Sequence, residues 1–238
     1  MKDAETPQDV VLESREGAVA VLRLNNPAQL NALTLPMIGA LKRAVERAIA
    51  DPQVRAILLT GEGRGFCAGA QLGGEVFASG AGIADGMRAE VSPLILALAE
   101  GPKPVVCAVN GPAAGAGVGI ALAGDVVIAA RSAKFLLSFG RLGAALDGGT
   151  SVLVQRLAGA ARAKGMALLA RPVSAEEAER WGMIWSVVED EALAAEAMAA
   201  AQALAADDTL ADAISPAEQA ACVANLPVGK CLAHSGRR

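Results

Sequence analysis

The sequence has little of the chemistry on which most nucleophilic and metal-dependent enzymes rely. Its 238 residues include one histidine, His234, four cysteines and no tyrosine. Ser–His and Cys–His nucleophile pairs and histidine-based metal sites are therefore disfavoured, and we expect no bound metal. The cysteines, at positions 67, 107, 222 and 231, form no C-x-x-C pair, which predicts reduced thiols rather than disulfides.

Aromatic residues, basic clusters and long hydrophobic runs are also scarce. Aromatic residues make up 3% of the chain and the formal net charge is -4, so we expect no nucleic-acid partner. Apolar residues reach 53%, but charge or glycine interrupts them within about 10 to 15 residues, whereas a membrane span needs roughly 20. The first residues carry acids and no apolar run, which is unlike a signal or transit peptide. We expect a cytoplasmic protein without a membrane partner.

What the chain does have is glycine and alanine in loops that follow apolar strands. Val105–Val109 is a β-branched apolar run typical of a buried strand, and residues 110–112 predict a turn after it. From position 113 to 119 no side chain is larger than valine. A ligand can approach the main chain there, beside the first turn of a helix, which favours an anion or oxyanion site. The alternative is that small residues let the helix pack closely on a strand.

The order of the predicted elements is that of an α/β protein. Residues 10–15 and 18–24 alternate like a β-hairpin, Thr34 and Pro36 begin a helix, and residues 54–60 form a buried strand. Residues 61–72 are a second glycine-rich loop after a strand, so we expect the two loops to form one pocket. Residues 73–86 are predicted to be a mobile loop.

The same alternation continues as far as residue 206. We expect helices at 87–100, from 150, after a capping box at 174–177, and at 192–206, with strands at 126–130, 134–139 and 186–188. The pattern predicts one α/β domain with a parallel sheet over residues 1–206, and it weakens over 207–238. Trp181 and Trp185 are predicted to lie in the core, with a place in a substrate pocket as the alternative.

Three motifs resemble, in their order and spacing, those of the crotonase superfamily, which is also called the enoyl-CoA hydratase/isomerase family. They are Asn26-Pro-Ala-Gln-Leu-Asn-Ala-Leu33, Gly65-Phe-Cys-Ala-Gly-Ala-Gln-Leu72 and Asn110-Gly-Pro-Ala-Ala-Gly-Ala-Gly117. Segments 129–135 and 175–185 look most like the ring-1,2-epoxyphenylacetyl-CoA isomerases of aerobic phenylacetate breakdown.

The resemblance, which covers roughly residues 10–206, implies a fold, an assembly and a substrate. The fold is the ClpP/crotonase spiral of ββα units with C-terminal helices, and the expected assembly is a homotrimer or a dimer of trimers. The substrate is an acyl-CoA thioester, with no cofactor besides the CoA it carries. The segment 207–238 is shorter than the family's C-terminal helical region and does not resemble it.

Motif matching also implies which residues form the site. The backbone N–H groups of Ala70 and Ala116 would form an oxyanion hole for the thioester oxygen and stabilise an enolate. Residues implied in binding the acyl-CoA are Gln29, Ala68, Gly69, Gln71, Leu72 and Gly115. The two glutamates that hydratases of this family use fall at Gly119 and Phe139, neither of which can transfer a proton.

Asp147 stands where the isomerase branch carries its acid, and a 1,3-proton shift needs only one base. The related isomerases usually have a proline before this aspartate and one further residue between it and Gly-Gly-Thr. This chain has Leu146 and no extra residue. Asp147 is therefore the predicted acid/base, and capping of the helix that starts near Thr150 is the alternative.

Three functions remain open at this point. The first is an acyl-CoA isomerase that moves a double bond or rearranges a ring epoxide, the second a 2-enoyl-CoA hydratase, and the third a non-catalytic CoA-binding or assembly subunit. Dinucleotide binding is disfavoured because Phe66 breaks the G-x-G-x-x-G pattern. Cys67 borders the pocket without a histidine partner, so we expect it to be a small apolar filler.

Overall fold

The computed structural model describes residues 9–71 and 87–206, and the statements below refer to these two ranges. The mobile loop predicted at 73–86, the binding residue Leu72 and the segment 207–238 lie outside them. Within the described ranges no helix is long and apolar enough to cross a membrane.

Nine strands in the described ranges form two sheets. The six-stranded sheet has the order β1-β2-β3-β4-β6-β9. Its strands are β1 Val11–Glu16, β2 Val19–Leu24, β3 Ala56–Gly61, β4 Val105–Val109, β6 Val126–Ala130 and β9 Ser186–Val188. β1 runs antiparallel to β2, and all other neighbours are parallel. The three-stranded sheet has the order β5-β7-β8, from β5 Ala113–Ala114, β7 Lys134–Leu136 and β8 Val173–Ser174.

Seven α-helices in the described ranges connect and cover these sheets. They are α1 Leu35–Ala50, α2 Ser92–Glu100, α3 Ala116–Leu122, α4 Thr150–Ala158, α5 Ala160–Leu169, α6 Ala175–Arg180 and α7 Leu193–Ala206. A π-helical turn, Met87–Val91, leads into α2, and 3-10 turns lie at Pro27–Gln29, Phe139–Leu142 and Asp190–Ala192. α7 packs against β3, β4 and β6, and α3 packs against β4.

Local sequence signals account for most of these boundaries. α1 begins where the Thr34 hydroxyl accepts the amide hydrogen of Met37 at 3.2 Å, as its capping position predicts. The apolar face predicted for α1 is buried throughout, namely Met37, Ile38, Leu41, Ala44, Val45 and Ala48. α6 has the predicted capping box, in which Ser174 and Glu177 each accept the other's amide hydrogen.

The strand register decides where the chain can build a site. β3 and β4 are parallel neighbours, with Leu59 opposite Cys107, and β4 is fully buried between β3 and β6. The loops that follow β3 and β4 therefore leave the sheet at the same edge. Asp125, at the other end of β4, accepts the Val105 amide hydrogen at 2.7 Å, so this carboxylate serves the sheet.

Two predictions about the fold were wrong. β7 ends at Leu136 instead of residue 139, because Phe139–Leu142 forms a 3-10 turn. Trp185 lies outside the core and is 74% exposed, since its amide bonds to Val127 at the sheet edge while its ring is left in solvent. Trp181 is half-buried at the edge of the core, with the Arg162 guanidinium 5.3 Å from its ring centre.

Candidate active site

The loops after β3 and β4 are joined through their main chains. Cys67 forms a parallel bridge with Ala113: its amide donates to Pro112 O at 3.2 Å, and its carbonyl accepts from Ala114 N at 2.8 Å. A Cβ added to Gly69 would lie 2.6 Å from the Ala114 carbonyl oxygen. Backbone contacts thus join the two loops that were predicted to share a pocket.

Ala70 presents its amide away from the first motif. Leu33 makes both hydrogen bonds of the parallel bridge opposite Ala70: its amide donates to Gly69 O at 2.7 Å and its carbonyl accepts from Gln71 N at 2.9 Å. The N–H and C=O of Ala70 itself therefore point to the other side. Among the hydrogen bonds of residues 9–71 and 87–206, none uses the Ala70 amide hydrogen.

Ala116 is the first residue of α3, and its N–H lies before the first intrahelical bond. The neighbouring amides are used, since Gly115 N donates to Leu136 O at 2.9 Å and Val118 N donates to Gly115 O at 3.0 Å. A Cβ added to Gly69 would lie 3.5 Å from the Gly115 Cα. Because Gly69 and Gly115 directly precede Ala70 and Ala116, their contact brings these two alanines close together in space.

Small residues also allow close packing between the two loops, as Gly117 and Gly111 show. A Cβ added to Gly117 would overlap the Cys67 carbonyl oxygen and lie 2.8 Å from its Cβ. A Cβ added to Gly111 would overlap the Arg64 carbonyl oxygen. This packing holds together the loops that carry Ala70 and Ala116. The small residues therefore serve close packing and also bring these two loops together.

Asn31 supports the loop after β3 by hydrogen bonds to its backbone. No role was predicted for it from the sequence. It is fully buried at φ 56°, donates from Nδ2 to Glu62 O at 3.0 Å and Gly65 O at 2.8 Å, and accepts the Asn26 amide hydrogen at 2.8 Å. An asparagine side chain can pair with both kinds of backbone group and tolerates a left-handed conformation. An asparagine within the first motif is therefore the sequence feature from which this supporting role could have been predicted.

Asn110, at the start of the loop after β4, also supports the loop after β3 by hydrogen bonds to its backbone. Its Nδ2 donates to Gly63 O at 2.9 Å, and its Oδ1 accepts the Gly61 amide hydrogen at 3.2 Å. The end of β3 is thus held by an asparagine from each of two motifs. From its sequence context, Asn110 was predicted only to be a turn residue.

Asp147 lies between the Phe139–Leu142 turn and α4. Its main-chain carbonyl accepts both the Thr150 amide, at 3.0 Å, and the Thr150 hydroxyl, at 2.6 Å. Gly149 is the residue that precedes α4, and no side chain caps that helix start. The capping alternative is therefore wrong for the carboxyl group, because the backbone does this work.

The Asp147 carboxyl group is half-buried and incompletely satisfied. Its Oδ1 is buried without a hydrogen-bond partner in the part of the chain that the structure describes. Burial raises the pKa of this carboxyl above its usual range. An unsatisfied buried polar group costs about 1 to 3 kcal/mol, so its presence points to a functional site.

The sequence and the fold are similar to those of known proteins. The family model for enoyl-CoA hydratase/isomerase matches residues 14–224. The chain belongs to the enoyl-CoA hydratase/isomerase, or crotonase, family.

Its relatives in this family carry more than one name. The chain is 48% identical over 204 residues to the 1,2-epoxyphenylacetyl-CoA isomerase of Escherichia coli K12, covering 84% of this chain and 78% of that one. It is 47% identical over 178 residues to a probable enoyl-CoA hydratase of Rhodobacter capsulatus, covering 75% and 68%. A putative enoyl-CoA hydratase from Streptomyces coelicolor has a TM-score of 0.83 at 33% identity, covering 95% and 84%. The crotonase fold expected from the motifs is thereby confirmed.

The two positions matched to the glutamates of the family's hydratases lie close to the loops that carry Ala70 and Ala116. Phe139 is buried, and its Cζ would lie 3.6 Å from a Cβ added to Gly115. Gly119 is buried in α3 and faces Gly148, the residue after Asp147. A Cβ added to Gly148 would in turn lie 2.8 Å from the Ala116 Cβ. Asp147 therefore directly precedes a residue, Gly148, that contacts Ala116.

The other residues implied by the crotonase resemblance border the same loop. Ala68 and Gln71 are half-buried on either side of the Gly69–Ala70 pair. Gln29 is exposed at the end of the Pro27–Gln29 turn and precedes Leu30, whose carbonyl accepts from Ala68 N at 2.9 Å.

Cys67 has the properties of the predicted apolar filler. It is fully buried, and burial raises the pKa of its thiol to about 12, so it stays protonated at neutral pH. Within the two described ranges, no cluster of three or more His, Cys, Asp or Glu side chains could hold a metal ion.

Proposed function

We propose that this protein is an acyl-CoA isomerase that works through a thioester enolate. The reaction would move a double bond along the acyl chain or rearrange a ring-epoxide acyl group. The observation that carries the proposal is the buried, unpartnered Asp147 carboxyl oxygen, one residue from a contact with Ala116. A base beside an amide pair is the minimum that a proton shift next to a thioester requires.

The amides of Ala70 and Ala116 would act on the thioester carbonyl oxygen. Loss of a proton from the α-carbon transfers charge to that oxygen, and two fixed N–H donors stabilise the charge as it develops. Each such donor commonly contributes about 3 kcal/mol or more. Because backbone groups supply both donors, this half of the mechanism depends on the glycines that set the backbone path.

The Asp147 carboxylate would move the proton. It takes a proton from one carbon as a base and returns it to another carbon as the conjugate acid, so atoms and charge balance over the cycle. A pKa raised by burial makes the carboxylate a stronger base and brings it closer to the working pH. The oxidation state of the substrate does not change, so the proposed reaction needs no cofactor besides the CoA that the substrate carries.

Hydration of 2-enoyl-CoA is the second candidate, because the Rhodobacter capsulatus relative is named a probable enoyl-CoA hydratase. Hydration requires a side chain that activates water and delivers a proton. The two positions matched to the family's hydratase glutamates hold Gly119 and Phe139. These residues support isomerisation over hydration.

The experiment is a product assay on the purified chain. We expect 3-enoyl-CoA to be converted to 2-enoyl-CoA with little 3-hydroxyacyl-CoA, and Asp147→Asn to lower kcat by about 10²- to 10⁴-fold. Glu191→Gln, the same kind of change at an exposed residue, is the matched control and should keep the parent rate. Formation of 3-hydroxyacyl-CoA as the main product would show a hydratase. Tight CoA binding without turnover on several thioesters would instead favour the non-catalytic subunit.

The same proposal includes a cytoplasmic homotrimer or dimer of trimers as the working form. Its support is the family resemblance together with apolar side chains left in solvent by the single chain, Leu168 at 82% and Trp185 at 74% exposure. Contiguous exposed apolar patches are typical of surfaces that a partner covers, and Leu168 adjoins Leu169, which is 71% exposed. Light scattering after size exclusion would measure the mass, and a monomer would contradict the assembly.

A further inference from the structure

The loop that carries Asp147 touches α3 at a position that has no side chain. A Cβ added to Gly119 would overlap the carbonyl oxygen of Gly148 and lie 2.8 Å from its carbonyl carbon. The same Cβ would lie 3.4 Å from Thr150 Cγ2. Backbone atoms of the Asp147 loop thus occupy the volume that any side chain at position 119 would need.

A second contact fixes the loop one helical turn earlier. Gly148 has φ 55°, and a Cβ added to it would lie 2.8 Å from the Ala116 Cβ and 2.9 Å from the Ala116 Cα. Ala116 and Gly119 are three residues apart and so share one face of α3. The Gly148 peptide therefore lies flat on this face, between the oxyanion residue and Gly119.

The loop also has little freedom to absorb a displacement. Gly149, at φ 78°, is confined on its other side, where an added Cβ would lie 2.9 Å from Ile95 Cγ2. Asp147 is directly bonded to Gly148, and its main-chain carbonyl is held by both donors of Thr150. A shift of the Gly148 peptide is therefore transmitted to Asp147 without an intervening residue.

We propose that Gly119 is a positioning residue, whose missing side chain lets the Gly148 peptide pack on α3 and holds the Asp147 carboxylate beside the Ala116 amide. The inference rests on the proposed function and explains why the site would favour isomerisation over hydration. A glutamate at position 119, where a hydratase carries one, would push out the segment 147–149. In this chain, water activation from position 119 and proton transfer by Asp147 exclude each other.

The first test compares Gly119→Ala with Gly165→Ala, a glycine within α5 where an added Cβ meets nothing within 4 Å. We expect Gly119→Ala to lower kcat for isomerisation about 100-fold or more, because a shift of about 1 Å in a catalytic group has that effect. Its Kd for acyl-CoA should stay within about threefold, since Ala70 and its loop are not touched. The acidic limb of the rate profile should move to lower pH as Asp147 becomes hydrated. Gly165→Ala should change none of these.

The second test inserts one glycine between Asp147 and Gly148, which lengthens the loop without altering α3. We expect the loss in Tm caused by Gly119→Ala to be at least halved in this longer-loop chain, since the Gly148 peptide can move aside. If Gly119→Ala fails to fold in the parent chain, folding in the longer-loop chain supports the proposal and failure in both overturns it.

Two results would overturn the inference directly. One is a Gly119→Ala variant with the parent kcat and the parent pH profile. The other is a Gly119→Ala Tm loss that is equal in both loop lengths. If the parent chain shows no isomerase activity at all, the proposed function fails, and the Tm comparison still decides whether the Gly119–Gly148 contact places the loop.

Discussion

The two halves of the site differ in what they are made of and in how they are held. The proposed oxyanion half consists of main-chain amides on loops joined by hydrogen bonds and braced by Asn31 and Asn110. The proposed acid half is one carboxyl group, Asp147, with a buried oxygen that no described residue contacts by a hydrogen bond. The hydrogen bonds of the first half stabilise the fold, whereas the unpartnered carboxyl oxygen of the second half lowers the free energy of unfolding. Substitutions in the two halves should therefore have opposite effects on the free energy of unfolding.

Within the oxyanion half, the largest effect that would sharpen this comparison is expected from Gly69→Ala. Gly69 has φ 83°, and an added Cβ would lie 2.6 Å from Ala114 O, so the change must move the Ala70 amide. We expect kcat to fall about 10²- to 10³-fold, the loss typical of one oxyanion donor. Steady-state kinetics on 3-enoyl-CoA would measure it.

Gly17→Ala is the matched control, because Gly17 also has a positive φ, 61°, but an added Cβ meets nothing within 4 Å. It should lose about 1 to 2 kcal/mol of stability from the backbone conformation and no activity. Equal kcat values for the two variants would contradict the role of the Gly69 backbone.

A smaller effect, on stability, is expected from Asn31→Ala. The change removes three hydrogen bonds, one of them fully buried, and takes away the side-chain partner of the Asn26 amide and of the Glu62 carbonyl, which should cost about 2 to 3 kcal/mol. Urea unfolding monitored by circular dichroism would measure it. Asn25→Ala removes one exposed hydrogen bond, to Asp9 O, and should cost less than about 1 kcal/mol. Similar costs for both would show that Asn31 does not brace the loop.

The smallest effect, and the one of opposite sign, is expected from Asp147→Asn. Burial raises the folded-state pKa of Asp147 above its unfolded value, so the fold favours the protonated form. The stability that this provides is complete below the unfolded pKa and is lost as the pH rises through the folded pKa. At pH 7 the ionised group destabilises the chain, and Asp147→Asn should be about 1 kcal/mol more stable.

This gain should shrink as the pH falls toward about 4, because the parent carboxyl is then protonated as well. Urea unfolding of the parent chain and of Asp147→Asn at several pH values would measure it. A less stable Asp147→Asn at pH 7 would contradict the contrast between the two halves.

The sequence predicted those features whose causes are local. The hairpin of β1 and β2, the Thr34 cap and the Ser174–Glu177 capping box follow from turn residues and from side chains a few positions apart. The pairing of the two glycine-rich loops was also predictable, because parallel neighbours place their ends at one sheet edge.

What the sequence did not predict depends on contacts between distant segments. The roles of Asn31 and Asn110 depend on backbone groups of residues 61–65, which only the folded chain brings within reach. Trp185 has a large apolar side chain of the kind found in cores. It is exposed because it directly precedes β9, the edge strand of the six-stranded sheet. For Asp147 the capping interpretation was wrong, because Thr150 donates to its main-chain carbonyl and not to its carboxyl group.

The most direct test of the central claim is the pH dependence of kcat/KM for isomerisation of 3-enoyl-CoA, measured for the parent chain and for Asp147→Asn. A base must be ionised to act, so the parent rate should fall in acid through an apparent pKa above the ordinary aspartate value of about 3.9. In Asp147→Asn that limb should disappear and the rate at neutral pH should be about 10²- to 10⁴-fold lower. An Asp147→Asn variant with the parent rate and the parent acidic limb would contradict the account.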